Sequence, residues 1–322
     1  MGKINPILRL CAALCAATIF LLEISCTEFP ANGTVTNLDT NYHAYAGILD
    51  PADSAIVEEL LKGNGYTNGV RYFLGGKMMA SSGYFSQYID DSGFITSLNL
   101  RKTNLGSNIT VIPETFTLLH NHIDLSLGGN KLEDDAGNFL LKIELLKNCS
   151  LISFTNCNLS RFPKIDSTFA ISTLILNGNS QLKESIPNVT LPQLKNLDIE
   201  NCGISNYDFL PKFTALEGVS LNSENSQFPP ALFLCTKLKC ISCHDTLITT
   251  LPDKFDLLPF LSILDITNDN VKHIPATLLS KDTTFKAFFC YGNLFDTTQM
   301  TSAEIDWLNK YSGKYWTMYQ RE

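Results

Sequence analysis

The residues best suited to chemistry crowd into one short stretch, Cys235, Cys240, Cys243, His244 and Asp245, with Asp265 further on. Three thiols beside an imidazole are the donor set of a zinc site. An imidazole beside a carboxylate is the start of a general base. The zinc reading fails on direction if residues 240–244 form a strand. Residues an odd number apart on a strand point to opposite faces. Cys240 and His244 then share one face and Cys243 the other, so the ligands do not converge. Seven cysteines follow Cys26, an odd number that argues against a full disulfide framework. No HExxH, GxSxG or phosphate-binding Gly-Lys-Ser/Thr motif occurs in the sequence. The expectation is core and surface thiols, no metal, no cofactor and no enzyme. An outward His–Asp pair is then part of a binding surface.

The elements that must position these residues repeat. From residue 95 the chain follows the frame LxxLxLxx(N/C/T)xL, with copies starting at 95, 122, 149, 171, 194, 216, 238, 261 and 285. Apolar fourth and sixth positions, as in Leu98 and Leu100 or Leu264 and Ile266, alternate with period two, the mark of a half-buried strand. One such strand cannot bury its apolar face alone, but stacked copies can. The frame resembles that of the leucine-rich repeat family. That resemblance implies an α/β repeat solenoid, a right-handed superhelix of about nine repeats with a parallel inner sheet. Apolar-Pro pairs such as Phe162-Pro163, Leu251-Pro252 and Ile274-Pro275 suit extended or 3₁₀ structure on a mostly non-helical convex side. The second copy is the exception: Phe139, Leu140, Ile143 and Leu146 make a stripe that predicts a helix near 134–146, with Asp134-Asp135 at its start.

The ninth position reads Thr103, Asn130, Cys157, Asn179, Cys202, Glu224, Thr246, Asp269 and Asn293. In the family that this frame resembles, Asn or Cys there bonds the neighbouring turn backbone. Glu224 and Asp269 depart from the pattern, because a buried lone carboxylate is costly. Either those turns open to water, or Asn225 and Asn270 replace them by a one-residue shift.

The flanks read as caps and an anchor. Lys3, Arg9 and the apolar run Leu10–Leu22 form a secretory signal over residues 1–25. Ser25-Cys26 just past that run resembles a bacterial lipobox, although Glu23 departs from it; Cys26 is the expected lipidated residue. Residues 26–46 are a polar tether. Residues 47–94 form a cap, with a helix opening at Asp50-Pro51 and a stretch of aromatic strands that includes Tyr66, Tyr72, Tyr84 and Phe85. This cap resembles that of leucine-rich repeat proteins secreted by Bacteroidetes. Repeats occupy 95–300. Residues 301–322 form a helical cap behind a Thr301–Glu304 capping box, with Trp307 and Trp316 covering the last repeat. The implied localisation is export with a lipid anchor in the bacterial outer membrane, surface-exposed or periplasm-facing.

Function then falls to the concave face. Its outward positions carry Asp198, Glu200, Asn222, His244, Asp245 and Asp265, with Phe289 and Tyr291 one or two strands on. Clustered carboxylates steer a basic partner, and aromatic side chains give the apolar anchor that an interface needs. These eight residues are the candidate site for a protein or peptide partner. A glycan-binding surface protein is the alternative, with Phe289 and Tyr291 as its aromatic platform. The net charge of −8, the pI near 5.2 and the lack of any run of four basic residues argue against nucleic acid. The lipid anchor has a direct test. Labelled palmitate enters the wild-type protein, and Cys26→Ala abolishes the label and releases the chain from membranes or leaves it uncleaved.

Overall fold

The computed structural model describes residues 50–312 except 66–72, 75–85, 91, 103–107, 184–188, 223–225, 282 and 284. The signal segment, Cys26, the tether, Thr103, Glu224, Trp316 and the aromatic residues Tyr66, Tyr72, Tyr84 and Phe85 lie outside the described residues. The chain divides into two compact units between Ile175 and Leu176. No helix among the described residues is long and apolar enough to cross a membrane.

The first unit opens on α1 (Pro51–Gly63). Asp50 starts it: its Oδ1 accepts from the N–H groups of Ala52 at 2.9 Å and Asp53 at 3.0 Å. Pro51 occupies the first turn, where no N–H is needed. Six strands follow: β1 (Phe73–Leu74), β2 (Ser86–Ile89), β3 (Ile95–Asn99), β4 (Asp124–Ser126), β5 (Leu151–Ser153) and β6 (Thr173–Ile175). β2 runs antiparallel to β3. From β3 to β6 the strands are parallel, with Leu98, Leu125, Ile152 and Leu174 side by side.

The second unit holds β7 (Asn196–Ile199), β8 (Gly218–Leu221), β9 (Cys240–Ser242), β10 (Ile263–Asp265) and β11 (Ala287–Phe289). All are parallel, and Asn196, Gly218, Cys240, Ile263 and Ala287 align across them. The strands fall on the third to fifth frame positions, where the alternation puts them. Every fourth and sixth position, from Leu98 and Leu100 to Phe288 and Cys290, is at most 1% exposed. Short 3₁₀ turns return the chain in both units, for example Glu114–Leu118, Pro230–Leu234 and Phe255–Leu257. One short helix, α2 (Ala276–Leu279), does the same. α3 (Ser302–Tyr311) closes the second unit behind the expected Thr301–Glu304 box, and its Trp307 packs on Phe285 and Phe288 with ring centroids 5.2 and 5.3 Å apart.

The helix expected over 134–146 does not form. Only Ile143–Leu146 is helical, as a 3₁₀ turn. Asp134 takes the backbone N–H groups of Ala136 at 2.9 Å and Asn138 at 2.8 Å, and Gly137 turns left-handed at φ 75°. That side-chain-to-backbone bonding offers the chain a tight turn in place of a helix start. Glu133 then bridges antiparallel to Phe139. Of the predicted stripe only Ile143 and Leu146 reach the core, joined there by Leu141 and Leu145, while Phe139 is half-buried and Leu140 exposed.

Two columns hold most of the described turns after the strands. At the eighth position the chain is left-handed: Gly129, Asn156, Gly178, Asn201, Asp245, Asn268 and Gly292 have φ between 53° and 75°. Only Gly, and to a lesser degree Asn and Asp, reach that region cheaply. At the ninth position a side chain reaches into the stack. Asn130 accepts from Ile109 N–H at 2.8 Å and donates to the carbonyls of Leu100 at 2.9 Å and Leu127 at 2.7 Å. Asn293 repeats this with Val271, Ile266 and Cys290. The thiols of Cys157 and Cys202 donate to Leu127 and Leu176 carbonyls at 3.3 and 3.1 Å. Strands, left-handed turns and ninth-position bonds together are a leucine-rich repeat fold. Replacing Asn130 by Ala leaves the Ile109 N–H and the Leu100 carbonyl bare in the core, while the Leu127 carbonyl keeps the Cys157 thiol. The expected loss is about 3 kcal/mol, read as a lower urea midpoint at unchanged slope.

Candidate functional site

The expected binding residues belong to the second unit, and the sheet register explains their positions. Asp198 and Asp265 are at the fifth position of β7 and β10, directed away from the core. Each bends back onto its own turn: Asp198 accepts from Glu200 N–H at 3.1 Å, and Asp265 from Thr267 N–H at 2.9 Å. Such Asx bonds end a strand. Their cost is reach. Asp198 is 1% exposed, Asp265 6%, Glu200 8% and Phe289 7%. The four residues are thus outward but buried, where the frame alone leads one to expect solvated side chains. The exposed part of the face is the ridge of seventh and eighth positions, where Asn222, His244, Thr267, Asn268 and Tyr291 are half-buried and Asp245 is exposed.

His244 is the centre of that ridge. Its Nε2 lies 3.0 Å from Glu200 Oε1, reaching from the turn after β9 to the end of β7, two strands away. Its Nδ1 lies 2.8 Å from Asp245 Oδ2. With a carboxylate on each ring nitrogen, both nitrogens must donate, so the ring is an imidazolium. Burial works against that charge. The Glu200 carboxylate, helped by Asp265 and Asp245, overcomes it and pushes the imidazole up to about 10. Ser220 donates its hydroxyl to the same Glu200 oxygen. Burial also raises the Asp265 carboxyl, against the pull of His244. The acidic cluster therefore carries its own cation, and its outward potential is smaller than four bare carboxylates would give.

Backbone and amide bonds join the ridge from repeat to repeat. Asn222 accepts from Asn201 N–H at 2.5 Å and donates to the His244 carbonyl at 3.1 Å. Asn268 donates to Asp245 Oδ1 at 2.8 Å. At the next repeat a Cβ on Gly292, with φ at 66°, would run into the Asn268 amide. Behind the ridge an apolar patch gathers Cys240 and Phe289, with Ile263, Ala287 and Tyr291 against them. Cys243, three residues after Cys240, is wholly in the core. The two thiols leave on opposite sides of the sheet. All seven described cysteines are buried thiols, and burial pushes Cys157, Cys202, Cys235 and Cys290 up to about 12. Those four are neutral and unreactive at physiological pH.

Among the described residues the first unit has one further cluster, Asp50, Asp53 and His120, each with a donor atom within 4.8 Å of the others. Its bonds are those of a cap joint. The buried Asp53 carboxylate accepts from Ile95 N–H at 3.0 Å and His120 N–H at 3.3 Å, while Asp50 caps α1. The His120 ring stacks on Phe94 at 4.0 Å.

Sequence reasoning missed the Glu200–His244 pair because it skips a strand, and nothing in a linear frame brings seventh positions two copies apart into contact. It also passed over the eighth-position column. The signal was available: Gly, Asn or Asp recurs there, which marks a turn rather than a recognition surface. Asp245, picked for its charge, serves that turn as well.

No family model matches the chain, and neither does any curated protein. Among solved structures it is similar to a leucine-rich repeat protein of Leptospira interrogans, with 18% identity, a TM-score of 0.47 and coverage of 63% of this chain and 57% of that one. It is also similar to internalin C2 of Listeria monocytogenes, with 20% identity, a TM-score of 0.49 and coverage of 76% and 96%. Internalin F of the same organism shares 16% identity at a TM-score of 0.38, over 64% and 76% of the two chains. The chain thus spans a little over half the length of the Leptospira protein. With every TM-score below 0.5, the fold rests on the register and the ninth-position bonds.

The charge on His244 makes a prediction. Its ring signals in NMR stay in the protonated position from about pH 5 to about pH 8.5, where an unperturbed histidine titrates near 6.5. The folded pKa is raised, so the pair's contribution to stability is complete below about 6.5 and is lost as the pH rises through 10. In His244→Gln that loss between neutral and alkaline pH disappears.

Proposed function

We propose that this chain is a non-enzymatic leucine-rich repeat protein, exported and lipid-anchored through Cys26 to the bacterial outer membrane. It binds a protein or peptide partner through the outward face of its second unit. The observation that carries the reading is the ridge of seventh and eighth positions. It presents Asn222, His244, Asp245, Thr267, Asn268 and Tyr291 from successive turns on a rigid, cross-bonded backbone. Polar groups at strand-to-strand spacing suit an extended chain laid across the repeats. Tyr291 and the patch behind it supply an apolar anchor at one end, and Asp245 the charge. His244 cannot serve as a base, since both nitrogens are committed as donors. A glycan ligand is favoured less, because Phe289 is buried and Tyr291 alone remains of the aromatic platform.

Asp245→Asn and Tyr291→Ala test the reading without disturbing the fold, since Asn keeps the left-handed turn and Tyr291 is only half-buried. A partner captured by the soluble mature chain loses affinity about tenfold or more in the double variant. Its affinity is unchanged in Leu257→Ser or Phe260→Ser, which alter exposed apolar side chains off the sheet. The opposite pattern moves binding away from the sheet. Specific capture on a glycan array, lost with Tyr291→Ala, favours the glycan reading.

A further inference from the structure

Repeat eight keeps a buried side chain at the ninth position but changes its chemistry. At Asn130 and Asn293 one side-chain atom accepts a backbone N–H, and the other donates to two sixth-position carbonyls 2.7–3.0 Å away. Asp269 fills the same position at 0% exposure. No turn opens to water there, and no one-residue shift puts Asn270 in its place. Its Oδ1 accepts from Thr246 N–H at 2.9 Å and from the Thr246 hydroxyl. That hydroxyl also accepts from Ile248 N–H at 3.2 Å. Asp269 Oδ2 is buried with no hydrogen-bond partner. Counting along the repeat, the carbonyls that match those bonded by Asn130 and Asn293 are Cys243 and Ile266, although Asp269 takes the ninth-position N–H of Thr246 where Asn293 takes the eleventh-position N–H of Val271. A charged oxygen facing carbonyl oxygens is repelled; a protonated one makes the bond.

We propose that Asp269 is held as a neutral carboxylic acid whose Oδ2–H replaces the asparagine donor, and that loss of this proton loosens the junction of repeats seven and eight. Burial raises the carboxyl, the Thr246 bonds oppose it, Asp265 on β10 raises it further and His244 after β9 lowers it. The balance lies at about 7. The proton is therefore exchangeable in the range where cells and their surroundings differ. The junction also lies beneath the ridge. Thr246 follows Asp245, Asp269 follows Asn268, and the Thr246–Asp269 bond runs beside the Asp245–Asn268 bond. Loosening one strains the other, which makes the presenting surface acid-stabilised.

The test is urea unfolding of the mature chain from about pH 4 to about pH 9, wild type against Asp269→Asn. A folded carboxyl raised above its unfolded value of about 4 gives stability that is full below that value and lost as pH rises through the folded one. Relative to the variant, the wild-type unfolding constant should rise by up to about tenfold per pH unit and level off above about 7. A ratio that does not change with pH overturns the proposal. Thr246→Val keeps the test decisive if Asp269→Asn does not fold. Removing the hydroxyl donor takes support from the charged form, so the wild-type loss should move to higher pH. A loss that stays in place, or moves to lower pH, overturns the proposal as well.

Discussion

Each strand of this protein is only a few residues long, and at its end the backbone must turn within the core. Buried N–H and carbonyl groups are left there with no strand neighbour to bond, and each one bare costs on the order of a kilocalorie or more. The ninth-position side chain answers that need by reaching across to the previous repeat. Everything else depends on it. The left-handed eighth residue aims the chain so that the ninth can enter, and the apolar fourth and sixth positions pack because the turn holds the strands in register. Asparagine does this best, having both a donor and an acceptor. Cysteine manages with a donor alone, and Thr246 with Asp269 shares the work between two repeats.

The same constraint shapes the outward face. Carboxylates at outward positions are drawn into the exits of their own strands, and the remaining charge is matched from within by His244. What stays exposed is a narrow ridge rather than a broad acidic surface. Recognition and folding thus compete for the same side chains, and at the fifth position folding wins. At the eighth the two coincide: Asp245 bends the chain and still presents a carboxylate.

The repeat frame was legible because it is written in positions four and six, whose apolar character reports burial directly. The N-cap at Asp50 and the box at Thr301 were legible because capping is local and uses few residue types. The segment 134–146 was misread because its apolar stripe suits a helix or a buried turn equally. The choice fell to Asp134 and Gly137, whose side-chain and left-handed preferences outweigh a stripe. The burial of Asp198 and Asp265 was out of reach for another reason. Direction along a strand is a matter of parity, but whether a short side chain extends or folds back depends on the bond it finds two residues on. The Glu200–His244 contact needed the stack itself.

Cys157 and Cys202 carry a consequence of their own. As neutral donors in the ladder they are safe from oxidation, but only folding makes them so. Before folding, these seven thiols are ordinary, and any two that meet in an oxidising compartment can cross-link in a wrong pairing. The repeat architecture works against this in time rather than in structure. Its contacts join segments little more than twenty residues apart, so adjacent coils assemble quickly and in any order. In such a compartment, survival would be a race between coil assembly and cross-linking, and the short distance between neighbouring coils favours assembly.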